Sequence, residues 1–316
     1  MIIDAHAHIF PSVNGLNGAG PTLGRGLGRI TIGGRPPQQL LPPLSTHLEH
    51  TPEMLIAHMD WLGVDKAVLL QGPFYGECNA YVAAAAARYP ERLIAAAYFD
   101  PWAADSRPTF EQTLSDPVFR AVKLECSVAT GLFGIHPQAS LDAPELAWLW
   151  DELEQRGRVL TLDLGAIGSR SYQTAAVRAI AETHPDLRVV VAHLGQPRHE
   201  IDTDERQRAL WQEQLELGRL PNLWFDCAAL PAYAYPSADA GAAAEGFPFA
   251  SVARYLVQAV DRIGAAKIMW GTDLPSLFAH ATYRQLLDFA RGPLAGLPPA
   301  DLDLILGGNA LSVYGR

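Results

Sequence analysis

Eight short apolar runs, most of them followed by a helical pattern, constrain this chain more than any other feature. The runs cover residues 1–8, 66–71, 93–100, 121–125, 159–165, 188–193, 223–227 and 267–273 and are rich in β-branched residues or flanked by them. The patterns between them have helical spacing. In 51–62, Thr51 is placed to cap, Pro52 takes the first helical position, and Leu55, Met59 and Leu62 share a face. In 142–156, Leu146, Leu149, Trp150 and Leu153 form the apolar stripe, and 172–183, 205–217 and 248–263 also read as helix. Strand then helix, repeated without hairpins, predicts an α/β fold: a (β/α)8 TIM barrel, one domain over residues 1–316. An open doubly wound sheet is the alternative, but no GxGxxG follows a strand.

Such a barrel needs about 250 residues, which leaves room for insertions. Residues 11–50 are rich in Gly, Pro and Arg, lack a period and directly follow the first run. Residues 231–247 are rich in Ala, Pro and Tyr and follow the seventh. Both insertions fall on the C-terminal side of the strands, where barrel active sites form.

Composition narrows the function. Lys and Arg number 24 against 34 Asp and Glu, a net charge of −10, and 49% of residues are hydrophobic. That suits a globular core rather than a disordered chain, and it disfavours a nucleic-acid partner. No apolar stretch approaches the length of a membrane span, and the run 1–3 stops at Asp4 with no basic segment before it. A cytoplasmic protein is therefore expected, with a small-molecule substrate and no membrane partner; the insertions could join copies into a homo-oligomer. The three cysteines show no CxxC spacing, which argues against a disulfide framework or a cysteine-based zinc site.

The chemistry gathers at the strand ends. His6 and His8 lie two apart near the end of the first run, so both imidazoles point to one side of a strand and can grip one metal ion. His193 closes the sixth run and Asp273 the eighth; the fifth carries Asp163, and the fourth Lys123 and Glu125. Charged side chains are rarely buried without partners, so on one barrel mouth this set calls for a cation among them. The plainer alternative is that each strand simply emerges into solvent. Substrate candidates are Phe74 and Tyr75 after the second run, His136 after the fourth, and Arg25, Arg29 and Arg170 as bidentate carboxylate binders. Each has a bland alternative in loop packing or a solvated surface.

This order of His-x-His, His and Gly-Thr-Asp resembles the amidohydrolase superfamily of metal-dependent barrels. The details look like its amidohydrolase-related branch, which includes aminocarboxymuconate-semialdehyde decarboxylase and several lactone hydrolases. The resemblance is carried by Ile3-Asp-Ala-His-Ala-His-Ile-Phe-Pro11, Gly63-Val-Asp-Lys-Ala-Val68, Tyr89-Pro-Glu-Arg92, Ala192-His-Leu-Gly195, Trp270-Gly-Thr-Asp-Leu-Pro275 and Gly308-Asn-Ala-Leu-Ser-Val-Tyr314. It implies that His6 and His8 hold a divalent metal, zinc first and manganese second. It implies that Asp273 is a ligand that also handles the proton of the attacking water, and that His193 binds metal or polarises the substrate. One position departs from the pattern: the fifth strand, which usually offers histidine, offers Asp163 in Asp-Leu-Gly165. Asp163 is then an anionic ligand or a partner of one. Glu125 is the other candidate anionic ligand, and Lys123 is carbamylated or pairs with Glu125 or a substrate acid. The activity implied is hydrolysis of a small cyclic or aromatic carbonyl compound, a lactone or amide, by metal-activated water. The alternatives are non-oxidative decarboxylation of an aromatic or muconate-like acid, and a barrel that binds without catalysis. Some lactone hydrolases of the branch work without a metal.

Overall fold

The computed structural model describes residues 1–17, 20–234 and 245–315. In chain order its strands are β1 (Ile3–Ala7), β2 (Asn14–Asn17), β3 (Gly20–Gly24), β4 (Arg29–Ile32), β5 (Gln38–Gln39), β6 (Lys66–Leu69), β7 (Leu93–Ala97), β8 (Phe119–Glu125), β9 (Val159–Asp163), β10 (Arg188–Val191), β11 (Leu223–Asp226) and β12 (Ile268–Met269). All eight apolar runs become strands of one parallel sheet, ordered β1-β6-β7-β8-β9-β10-β11-β12. The sheet curls until its last strand meets its first. Ala5 N–H donates to the Trp270 carbonyl at 3.0 Å, and His8 N–H to the Leu274 carbonyl at 2.7 Å.

Helices form in all five expected stretches, at Pro52–Leu62, Ala147–Gln155, Thr174–Thr183, Glu205–Leu215 and Ala250–Ile263, the second starting late after a 3-10 turn at Pro144–Leu146. The first shows how local chemistry sets its limits. Thr51 Oγ1 accepts the Met54 N–H, Pro52 follows the cap, and Gly63 ends the helix at φ 69°. Leu55, Met59 and Leu62 then pack into the layer between strands and helices. Among the described residues no helix is long and apolar enough to cross a membrane.

Inside the barrel a second, smaller core forms the floor. Ile3, Ala5, Val68, Ala121, Val159, Val190 and Met269 meet there, and Tyr314 plugs it from the helix Asn309–Tyr314. The Tyr314 hydroxyl is the floor's polar anchor, 2.8 Å from Thr161 Oγ1.

A bulge in β1 places the histidines. Asp4 pairs with Ala67 but Ala7 pairs with Leu69, so β1 spends one more residue than β6 over that stretch. Ile3 and Ala5 face the floor core, while Asp4 turns outward to Thr272 and Tyr283. Strict alternation would send His6 outward with Asp4. The extra residue resets the alternation, so His6 and His8 both enter the mouth.

The insertion 11–50 departs from expectation. It has no sequence period, yet β2 to β5 form a four-stranded antiparallel sheet. On β2 the usual burial is inverted: Gly15 is buried and Leu16 is exposed. A Cβ at position 15 would collide with the Pro73 and Phe74 carbonyls, so glycine lets β2 lie directly on the loop after β6. The Leu16 N–H donates to the Pro73 carbonyl at 2.7 Å across that contact. Of the second insertion, 231–247, residues 235–244 lie outside the described residues.

Candidate metal centre

Ionisable residues from the ends of five barrel strands converge on one cavity of about 510 Å³, a volume suited to a small ligand. His8, Lys123, Glu125, Asp163, His193 and Asp273 line it. At its base His6 Nε2 lies 3.8 Å and His8 Nε2 lies 2.9 Å from Asp273 Oδ1. These three residues form a group whose ligand atoms all lie within 4.8 Å of one another.

The other ring nitrogens identify which atoms are free. His8 Nδ1 lies 2.8 Å from the Leu70 carbonyl, which can only accept, so Nδ1 carries the hydrogen. His6 Nδ1 lies 3.0 Å from Asp226 Oδ2. Both Nε2 lone pairs therefore turn toward Asp273. Burial pushes His6 well below the usual histidine range, with Lys123 adding to the effect. Burial also lowers His8, against the opposing pull of Asp273. Burial alone would raise Asp273, yet its hydrogen bond and charge contacts with the histidines hold it below the usual carboxylate range. A neutral imidazole and an ionised carboxylate 2.9 Å apart are two acceptors that need a proton or cation between them. The donor set fits a divalent ion such as zinc, with each imidazole oriented through its second nitrogen.

His193 plays a different part. Its Nδ1 donates to the Ala228 carbonyl at 3.3 Å, and its Nε2 lies 3.3 Å from Asp163 Oδ2. Burial would lower it, but Asp163 raises it to about 9. Burial would likewise raise Asp163, yet His193 and Lys123 hold it far below the usual range. Gln196 Nε2 and the Gly165 N–H both donate to Asp163 Oδ1, at 2.8 and 3.0 Å. Asp163 is thus engaged by His193 on one oxygen and by Gln196 and Gly165 on the other. His193, Leu194, Gln196 and Asp273 have positive φ just past the sixth and eighth barrel strands, as does Ala229 past the seventh.

Glu125 faces the cavity from β8. Ser127 and Thr130 hydroxyls donate to its Oε1 at 3.0 and 2.7 Å, and burial raises its pKa. Lys123 Nζ lies 3.3 Å from His6 Nε2. Tyr75 lies tilted against His8 with ring centroids 4.9 Å apart, and Phe74 lines the same wall.

Other sequence candidates do not line the cavity. His136 Nε2 is paired with Asp100 at 2.6 Å, and Arg170 lies over the Phe133 ring with an N–H on the His136 carbonyl. Arg25 Nε donates to Thr31 Oγ1 within the small sheet, and Arg29 is exposed on β4. The cavity arginine is instead Arg198, whose guanidinium lies over the Tyr233 ring at 4.6 Å. Gln196 and Asp226 also belong to the site, although neither is among the sequence candidates. Asp226 shows the signal that marked its neighbours, an acid closing the apolar run Leu223–Asp226; Arg198 shows none. Asp4 is a brace: its carboxylate accepts from the Thr272 N–H and hydroxyl and the Tyr283 hydroxyl, and burial raises it to about 7.

Comparison with known proteins adds a family match and a set of similar folds. The family profile described as amidohydrolase matches residues 3–316. No curated protein sequence matches the chain. An amidohydrolase from Burkholderia multivorans, crystallised with zinc, is 16% identical with a TM-score of 0.70, covering 100% of this chain and 99% of that one. A probable 2-pyrone-4,6-dicarboxylic acid hydrolase from Acinetobacter baumannii, with citric acid bound, is 17% identical with a TM-score of 0.68, covering 100% and 99%. The 5-carboxyvanillate decarboxylase from Sphingomonas paucimobilis is 15% identical with a TM-score of 0.57, covering 85% and 84%. At these identities the likeness is one of fold.

Proposed function

The chain belongs to the amidohydrolase family, and on that premise we propose that it is a metal-dependent hydrolase of a small cyclic carbonyl compound, a lactone or amide bearing a carboxylate. The observation that carries this reading is the convergence of His6 Nε2, His8 Nε2 and Asp273 Oδ1 at the base of the cavity. A divalent ion held by these residues would supply Lewis acidity and lower the pKa of a water in its shell toward 7. Asp273, held ionised, accepts the proton of the attacking water and returns it to the leaving heteroatom. Lys123 offers N–H donors to the oxyanion, and the His193 charge stands behind His6 with ring centroids 4.6 Å apart. Arg198 at the rim suits a substrate carboxylate. The pyrone-dicarboxylate name of one similar structure supports a carboxylated lactone; the decarboxylase name of another marks the reaction to test against.

The test is turnover of zinc- or manganese-loaded protein in ¹⁸O-water against a panel of lactones, cyclic amides and aromatic acids. Hydrolysis places one ¹⁸O in the product carboxylate and releases no CO₂. Release of CO₂ without ¹⁸O uptake makes the protein a decarboxylase. No turnover across the panel with metal-replete protein removes the catalytic reading.

A further inference from the structure

We infer that Asp226 is a positioning residue: one buried carboxylate fixes which nitrogen of His6 is free and holds the backbone that carries His193. The inference rests on the reading of His6 as a metal ligand. Asp226 ends β11 and is fully buried. Its Oδ2 lies 3.0 Å from His6 Nδ1, while its Oδ1 accepts the N–H groups of His193 at 2.9 Å and Ala228 at 3.1 Å. On the far side of the His6 ring, Lys123 Nζ lies 3.3 Å from Nε2. A lysine ammonium only donates, so Nε2 is the acceptor and the ring hydrogen sits on Nδ1, facing Asp226.

The second oxygen links this tautomer to strained backbone. His193 and Leu194 have φ of 60° and 54°, a region that non-glycine residues occupy only when their surroundings hold them there. The His193 N–H on Asp226 Oδ1 is one of those constraints. Asp226 thus joins the first and sixth barrel strands at the two histidines the proposed chemistry needs.

A carboxylate can accept on both sides, and an amide cannot. In Asp226→Asn, the orientation that keeps both backbone N–H bonds turns the NH₂ toward His6 Nδ1. That drives the ring hydrogen to Nε2, against the Lys123 donors and onto the lone pair a metal would use. The alternative orientation keeps the His6 bond but sets the NH₂ against two backbone N–H groups.

The experiment is ¹⁵N-histidine NMR of metal-free protein, with the His6 signals identified by their loss in His6→Gln. The expected result is the Nδ1–H tautomer in the wild type and the Nε2–H tautomer in Asp226→Asn. Zn²⁺ affinity, measured by chelator competition on the same samples, is expected to fall 10- to 100-fold in the variant, with a cooperative thermal melt retained. An Nε2–H tautomer in the wild type overturns the inference even if the variant does not fold. So does a folded variant that keeps the Nδ1–H tautomer and binds Zn²⁺ as tightly as the wild type. A wild type that binds no Zn²⁺ removes the metal reading instead, and the tautomer comparison still decides the role of Asp226.

Discussion

The mouth and the floor of the barrel are built on the same strands by opposite means. On β9, Thr161 points into the floor and bonds Tyr314, while Asp163, two residues on, holds His193 in the mouth. The floor is a cluster of apolar side chains joined by the hydroxyl pair of Thr161 and Tyr314. The mouth packs carboxylates, imidazoles and an ammonium together, and its positive-φ residues lie where the histidine and aspartate are presented. Burial of apolar surface is non-directional, so the floor tolerates substitution that keeps volume. The mouth depends on each donor meeting its acceptor, and removing one partner of a buried charge pair typically costs about 3–5 kcal/mol.

The sharpest way to break this contrast is to strip the ligands. In His6→Ala/His8→Ala, metal content by elemental mass spectrometry should drop from about one equivalent to background, and activity with it. Retention of both by the double variant would detach the chemistry from this mouth. Next in size, Asp273→Asn should lower kcat by about 10²–10⁴, with a circular dichroism melt read alongside to separate lost chemistry from lost stability. A wild-type kcat would make Asp273 a ligand without a role in proton transfer.

Acid should separate the two ends. His50, at the return of the insertion, donates Nδ1–H to the His8 carbonyl at 2.7 Å, and burial pushes it down to about 4. The unfolded chain therefore takes up this proton first as pH falls. The contribution is whole above about pH 6.5 and is lost on the way down to pH 4, about 3 kcal/mol over that window. Denaturant titrations at pH 7 and pH 4 should show His50→Gln losing less stability than wild type. Equal losses would place the acid sensitivity in other groups. The smallest change is at the floor: Thr161→Val removes the bond to Tyr314, costs about 1 kcal/mol by the same titration, and leaves kcat unchanged. A fall in kcat would mean that the two ends are mechanically coupled.

The floor was the more legible half. Val159, Val190 and Met269 belong to apolar runs whose burial inside a barrel follows from hydropathy. At the mouth, the residue types were readable because acids and histidines interrupt those runs. Their partners were not, because contacts such as His6 to Asp226 span 220 residues and have no local signature. The β1 bulge was hidden too, since register is a property of two strands, and Asp4-Ala-His6 offers no glycine or proline to mark it. The small sheet escaped because Gly15 and Leu16 reverse the burial that alternation leads one to expect.

The Tyr314 plug also bears on how the molecule comes into being. A ribosome adds about 5–20 residues per second, and Tyr314 emerges only after all eight barrel strands have been made. Until then the inner faces of Val159, Val190 and Met269 have no lid beneath them. A nascent chain stalled short of residue 309 would carry every side chain of the mouth on strands whose base is still open to water.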